Sequence, residues 1–131
     1  MKVALYARVS RHDIEQDPEN QLVKLREYAQ RHSWTIVHEY KDYASGADPS
    51  RPDLDKMLAE ARAKHFDAIL AVRVDRIGHS VANLNTIAED LQRHSVELIC
   101  SDQDIDTTTA YGKFVFTVLG AVSELELELV T

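Results

Sequence analysis

Four short apolar runs, at residues 3–9, 34–40, 68–74 and 96–100, alternate with longer stretches in which apolar residues recur at helical spacing. This alternation is typical of β-strands that lie parallel in one sheet and are joined by helices. It predicts an α/β domain of three layers, with a central, mainly parallel sheet of at least four strands flanked by helices.

The stretches between the runs carry helix start signals and one apolar face each. Asp17 before Pro18 predicts the N-cap and first residue of a helix that would bury Leu22, Leu25 and Ala29. Ser50 and Asp53 predict a capping box at the start of the second helix. The apolar faces of the second and third helices would be Leu54, Met57, Leu58 and Ala61, and Leu84, Ile87, Ala88 and Leu91.

The last stretch, from about residue 111, differs because its apolar residues cover more than one side of a helix: Phe114, Val115, Phe116, Val118, Leu119 and Val122. Either one side packs on the sheet and the other on a partner subunit, or the whole helix is buried in a monomer. Glutamates in the final turns oppose the helix dipole, and no capping residue follows. We expect a single domain over residues 1–131 whose long C-terminal helix is cut before its natural end.

Composition limits the function classes. The chain has 131 residues, 44% of them hydrophobic and 28% charged, which fits one globular domain. Its single cysteine, Cys100, excludes an intrachain disulfide and suits the reducing cytoplasm, and no apolar run reaches the length of a membrane span. The formal net charge of −7 argues against holding nucleic acid by bulk electrostatics, so any DNA would be gripped by another segment.

The first apolar run ends in Arg8 and Ser10. A serine hydroxyl is a weak nucleophile until a base or electrostatic help activates it, and an arginine two residues earlier on the same strand face can bind an anion. Phosphate is the natural candidate for that anion, since guanidinium groups match its oxygens.

Other polar residues follow the remaining strands: Asp42, Asp75 with Arg76, and Asp102. Because parallel strands end at one edge of a sheet, these groups would meet Arg8, Ser10 and Arg51 there, which suits phosphoryl transfer without a metal. Aspartates also favour turns, and we prefer that structural role for Asp102 and for Asp67. Asp42 is either a surface turn residue or a carboxylate that orients an arginine.

Five stretches together resemble the catalytic domain of serine recombinases, the resolvase/invertase family. They are Tyr6 to Ser10, Gln16 to Leu22, Asp42 with Ala44 to Gly46, Ser50 to Pro52, and Asp75 to Gly78. They occur in the family's order and cover nearly the whole chain, and the strand and helix pattern agrees with a resolvase-like fold.

The resemblance implies DNA strand exchange in which Ser10 attacks a backbone phosphate, forms a 5′-phosphoserine link and frees a 3′-hydroxyl, with no metal or nucleotide cofactor. It implies that Arg8, Arg51 and Arg76 hold the scissile phosphate. Asp75 would donate a proton or orient the arginines. Supporting roles around Ser10 would fall to Tyr6, Gln21, Asp42 and His79.

The resemblance also implies partners and shows departures. Family members act as dimers that pair into tetramers, and a C-terminal helix-turn-helix module, absent here, grips the DNA. His79 and Leu127 stand where the family usually has arginine, and two residues are inserted between Ser10 and Gln16. The alternative is therefore a catalytically impaired, recombinase-derived dimerisation or regulatory module. A phosphoacceptor domain using Asp42 or Asp75 ranks below both.

Overall fold

The computed structural model describes residues 1–9, 17–43, 51–78, 81–102, 105–106 and 117–118. Ser10, Gln16, His79 and Leu127 lie outside the described residues, as does the predicted C-terminal helix apart from residues 117–118, which are helical. The elements run β1 (Lys2–Val9), α1 (Pro18–Arg31), β2 (Thr35–Tyr43), α2 (Pro52–Arg62), β3 (Ala68–Ala71), a 3₁₀ helix (Val74–Arg76), α3 (Val81–Arg93), β4 (Glu97–Cys100) and β5 (Ile105–Asp106).

The described strands form one five-stranded sheet in the order β2-β1-β3-β4-β5. β1 pairs in parallel with β2 and β3, β3 pairs in parallel with β4, and only β5 is antiparallel. The predicted mainly parallel sheet is confirmed. The pattern did not predict β5, because two residues are too few to give a periodic signal.

Helices cover both faces of the sheet, as predicted. Alternate residues of β1 feed two cores, with Val3 and Leu5 packed toward α1, and Ala4 and Tyr6 packed among residues of α2 and α3. The predicted apolar faces of α1 and α2 are buried, whereas Leu84 and Ala88 of α3 are only half-buried. In the described part of the chain no helix is long and apolar enough to cross a bilayer.

The start of α1 confirms its prediction, and the start of α2 does not. The Asp17 carboxylate accepts from the Glu19 amide and caps α1. The predicted Ser50 capping box is wrong, because Arg51 occupies the N-cap of α2. The Arg51 side chain makes no capping hydrogen bond to the helix. The cap comes instead from the neighbouring strand β2, which a local sequence pattern cannot reveal.

Two strand ends also differ from the prediction. β2 runs on to Tyr43, so that Asp42 lies inside the strand rather than after it. β3 ends at Ala71, three residues early, because the chain turns there into the 3₁₀ helix that carries Asp75 and Arg76. Both changes bring polar side chains to the carboxyl edge of the sheet.

Candidate functional site

The carboxyl edge of the sheet opens between β1 and β3. These strands pair only as far as Leu5 and Leu70, beyond which β1 continues to Val9 while the chain after Ala71 turns away. The winding of the sheet reverses at this point, since the chain passes from β1 to β2 on one side and from β3 to β4 on the other. A crevice at such a reversal is the usual ligand site of an open α/β sheet.

Every sequence-predicted site residue that the structure describes lies at this edge. Arg8 lies near the end of β1, in register with Asp42 of β2. Arg51 is the N-cap of α2, and the 3₁₀ helix supplies Asp75 and Arg76. The edge therefore collects cationic and carboxylate side chains directly beside the point at which β1 leads toward Ser10.

Backbone carbonyl oxygens hold Arg8, Arg51 and Arg76, which we call the arginine cluster. The Nη2 atom of Arg8 donates to the Asp75 carbonyl at 2.7 Å, and Nη1 of Arg76 donates to the Arg8 carbonyl at 3.2 Å. Nη1 of Arg51 donates to the Ile77 carbonyl at 2.8 Å and the Arg76 carbonyl at 3.3 Å. These neutral acceptors fix the guanidinium groups without cancelling their charge.

The cluster concentrates positive charge in a buried position. Arg51 is 2% exposed and Arg8 is 7% exposed. Burial lowers the pKa of Arg8, and so do the nearby charges of Arg51 and Arg76. Within the described part of the chain, Nε and Nη2 of Arg51 and Nε of Arg76 are buried without a hydrogen-bond partner. An anion bound here would relieve the repulsion between the guanidinium charges. It would also accept hydrogen bonds from buried donors whose unpaired state costs folding free energy.

Asp42 connects this cluster to α2. Its carboxylate is 3% exposed and accepts from the Tyr6 hydroxyl at 2.7 Å, the Asp53 amide at 3.0 Å and the Leu54 amide at 2.9 Å. The surface-turn alternative for Asp42 is therefore wrong. The carboxylate holds the first turn of α2, and through that turn it sets the position of Arg51.

The buried Tyr6 hydroxyl should make the stability of the fold depend on pH. Burial, followed by the hydrogen bond to Asp42, raises the Tyr6 pKa well above its ordinary value near 10. Unfolding therefore becomes easier above pH 10, because the unfolded tyrosine ionises there and the folded one does not. We expect Tyr6→Phe to cost about 1.5–3 kcal/mol at pH 8. This cost should shrink by about 1.4 kcal/mol per pH unit above 10, measured by urea denaturation; a pH-independent cost would contradict the assignment.

Gln21 fixes the end of β1 to α1. Its side-chain amide donates to the Arg8 carbonyl at 2.8 Å and accepts from the Arg8 amide at 3.2 Å. A two-point contact of this kind substitutes for a strand partner and sets the backbone from which Arg8 projects. Gln21 thus acts on the arginine cluster through the backbone.

The remaining carboxylates have separate surroundings. The Asp75 side chain is 63% exposed, and its carboxylate lies 3.5 Å from Nε of Arg73. Asp102 lies in the turn after β4, where its amide donates to the Val72 carbonyl. Asp67 accepts from the Lys2 amide at the opposite edge of the sheet, which agrees with the structural role predicted for it.

Gly78, at the end of the stretch from Asp75 to Gly78, packs directly against α3. A Cβ atom at this position would lie 2.8 Å from Cβ of Leu84 and 3.0 Å from its Cα. The loop that carries Asp75 and Arg76 can approach α3 this closely only because residue 78 has no side chain.

Sequence reasoning missed a cleft beside the arginine cluster, which we call the α1 cleft. It has a volume of about 240 Å³ and is lined by Asp17, Asn20, Gln21, Lys24, Val72, Arg73, Arg76 and Asp102. The sequence contained a signal for part of it, since Arg73 lies two residues before Asp75 and on the same loop. Nothing in the sequence indicated that Lys24 of α1 would lie opposite that loop.

Comparison with known sequences supports one family. The chain matches the model of the family described as "Resolvase, N terminal domain" over residues 3–131. It is 38% identical to the probable DNA-invertase y4cG of Sinorhizobium fredii over 91 residues, which are 70% of this chain and 29% of that protein. It is 30% identical to the transposon Tn917 resolvase of Enterococcus faecalis over 125 residues, which are 95% of this chain and 62% of the resolvase. The chain thus spans less than two thirds of these relatives.

Solved structures support the fold. The N-terminal catalytic domain of TP901-1 integrase superposes with a TM-score of 0.84 at 31% identity, covering 98% of both chains. A resolvase family site-specific recombinase from Streptococcus pneumoniae superposes with a TM-score of 0.82 at 26% identity, covering 99% of this chain and 90% of that one.

Proposed function

Since the chain belongs to the resolvase N-terminal domain family, we propose that it is the catalytic domain of a site-specific DNA recombinase that acts through Ser10. The observation that carries this proposal is the set of buried guanidinium nitrogens of Arg51 and Arg76 that have no hydrogen-bond partner among the described residues, at the edge where β1 leads to Ser10. A phosphodiester is an anion of the right charge and shape for such donors.

The proposed reaction exchanges one phosphate ester for another. The Ser10 oxygen bonds to phosphorus, the bond from phosphorus to the 3′ oxygen breaks, the serine hydroxyl loses its proton and the 3′ oxygen gains one. Ser10 then carries the 5′ phosphate, and the reverse reaction with a new 3′-hydroxyl rejoins the strand. One ester replaces another throughout, so the exchange consumes no nucleotide.

The described residues would divide the work around Ser10. Arg8, Arg51 and Arg76 stabilise the charge that develops on the phosphate oxygens, and each donor of this kind is worth about 100- to 1,000-fold in rate. The exposed Asp75 carboxylate would either pass a proton to the leaving oxygen or orient the arginines of the cluster. Gln21 and the pair of Tyr6 and Asp42 hold the arginines in place.

The partners follow from the same proposal. DNA is the proposed substrate and the cytoplasm the proposed compartment. A DNA-binding module in a further segment would supply the basic surface that a chain of net charge −7 lacks. The relatives are longer than this chain, which supports such a segment. We propose that two copies pair through the last apolar stretch, and that two such dimers form a tetramer when DNA sites are brought together.

A second candidate is a recombinase-derived module that dimerises or regulates without catalysis. It is favoured by one observation, the presence of His79 and Leu127 where the family usually has arginine. A histidine cannot supply the bidentate fork of a guanidinium, and a leucine supplies no donor. In this case Ser10→Ala would leave the biological activity intact.

A covalent trapping experiment tests the proposal. The chain is joined to a sequence-specific DNA-binding module and incubated, with a chelator present, with DNA that carries two module sites around a randomised centre. We expect a protein–DNA adduct that survives denaturation and is absent from Ser10→Ala. If no adduct forms even after His79→Arg and Leu127→Arg are introduced together, the recombinase proposal fails. If an adduct forms only in that double variant, the non-catalytic module is the better description of the natural chain.

A further inference from the structure

We propose that the α1 cleft is a second phosphate subsite, which holds the backbone phosphate next to the scissile one. The proposal rests on the proposed function, because the arginine cluster must hold the scissile phosphate for the cleft to receive its neighbour. Lys24, Arg73 and Asn20 would be DNA-binding residues outside the set that the sequence pattern identified.

The α1 cleft is continuous with the arginine cluster. Arg76 and Gln21 line the cleft, and both also contact the Arg8 carbonyl. A ligand in the cleft therefore lies directly beside a ligand on the cluster. Successive phosphates of one DNA strand rise by about 3.4 Å along the helix axis, so a strand held at the cluster carries its next charge to an adjoining position.

The cleft also contains a set of donors suited to a phosphate. Lys24 and Arg73 present flexible, partly exposed cations, with side-chain exposures of 63% and 48%. Nε of Arg76 is buried and has no hydrogen-bond partner within the described residues. Asn20 adds a neutral amide from the first turn of α1, the positive end of the helix dipole. An ammonium, two guanidinium groups and an amide are the groups that proteins use for backbone phosphates.

The two carboxylates of the cleft do not reverse its charge. Among the residues that line the cleft, three cations (Lys24, Arg73 and Arg76) and two carboxylates (Asp17 and Asp102) leave one positive charge. Asp75 forms a further exposed pair with Arg73 at 3.5 Å and lies outside that lining. The Asp17 carboxylate already accepts from the Glu19 amide as the cap of α1. Asp102 lies 3.7 Å from Lys24 in an exposed pair, and such pairs are weak enough for a phosphate to displace. Asp102 therefore competes with the phosphate, and its removal should strengthen binding.

The test separates one phosphate from two with short oligonucleotides. Thymidine 5′-monophosphate offers a single phosphate for the arginine cluster, and the dinucleotide pTpT offers a second for the cleft. We expect the double variant Lys24→Gln, Arg73→Gln to weaken pTpT binding about 5- to 10-fold in an NMR titration, a loss of the size expected for two exposed cations. The affinity of the double variant for the mononucleotide should stay within twofold of the affinity of the unchanged chain. Asp102→Asn should tighten pTpT binding.

Two variants act as references. The double variant Lys56→Gln, Arg93→Gln removes the same number of positive charges from exposed positions on α2 and α3 and should change neither affinity. Arg51→Gln should weaken both ligands, because it acts on the shared cluster.

The outcomes distinguish the subsite from the proposed function. If Arg51→Gln weakens the mononucleotide but the double variant leaves pTpT unchanged, the subsite is refuted and the arginine cluster stands. If Arg51→Gln has no effect on either ligand, the proposed function fails as well. Inorganic phosphate is the third probe: if it binds at Lys24 and Arg73 as tightly as pTpT does, the cleft is a site for free phosphate and the proposal is overturned.

Discussion

Replacing Arg51 with methionine is expected to lower covalent adduct formation on DNA about 100- to 1,000-fold and to raise the free energy of unfolding by about 1 kcal/mol. The guanidinium is 2% exposed, and two of its nitrogens lack a partner within the described residues. Its charge also lowers the pKa of Arg8. Methionine keeps the length of the side chain and removes the buried charge. The free energy gained by removing that charge should exceed the free energy lost with the two hydrogen bonds to carbonyl oxygens.

A matched control is Arg93→Met, which removes a cation of the same kind from a side chain that is 72% exposed. It should change neither stability nor adduct formation by a measurable amount. Stability is measured by urea denaturation and the adduct by denaturing gel. If Arg51→Met destabilises the fold and the activity falls only in proportion to the unfolded fraction, Arg51 is a structural residue and its assignment to the phosphate is wrong.

Replacing Asp42 with alanine is expected to destabilise the fold by about 3–5 kcal/mol, the range for breaking a buried, hydrogen-bonded charge. The substitution leaves the Tyr6 hydroxyl buried without its acceptor and frees the amides of Asp53 and Leu54 at the start of α2. Arg51 loses its position with that turn, so activity should fall further than the unfolded fraction explains.

The control for Asp42 is Asp53→Ala, eleven residues along the chain. The Asp53 carboxylate accepts from the Lys41 amide at an exposed position. We expect it to cost less than 1 kcal/mol, about the value of one exposed hydrogen bond. Equal losses for the two variants would show that Asp42 has no special role in holding α2.

The sequence predicted those parts of the fold that depend on local periodicity. Strand and helix order, the N-cap at Asp17 and the buried faces of α1 and α2 all follow from apolar spacing and short-range capping. The meeting of Arg8, Arg51 and Arg76 at one edge was also predictable, because parallel strands end at the same side of a sheet.

Features that depend on contacts between distant elements were not predictable. The cap of α2 comes from the Asp42 carboxylate. The local sequence pattern assigned this cap to Ser50, because no spacing rule connects a helix to a strand that precedes it. The α1 cleft likewise joins Lys24 to a loop about fifty residues later. In both cases the tertiary fold, rather than the neighbouring sequence, decides which groups meet.

The chemical identity of the covalent link tests the central claim most directly. Adduct from the trapping experiment is digested with protease and nuclease, and the modified peptide is sequenced by mass spectrometry. We expect a nucleotide joined through its 5′ phosphate to Ser10, together with a free 3′-hydroxyl on the released strand. A link to any other residue, or a 3′-phosphate joined to the protein, would contradict it.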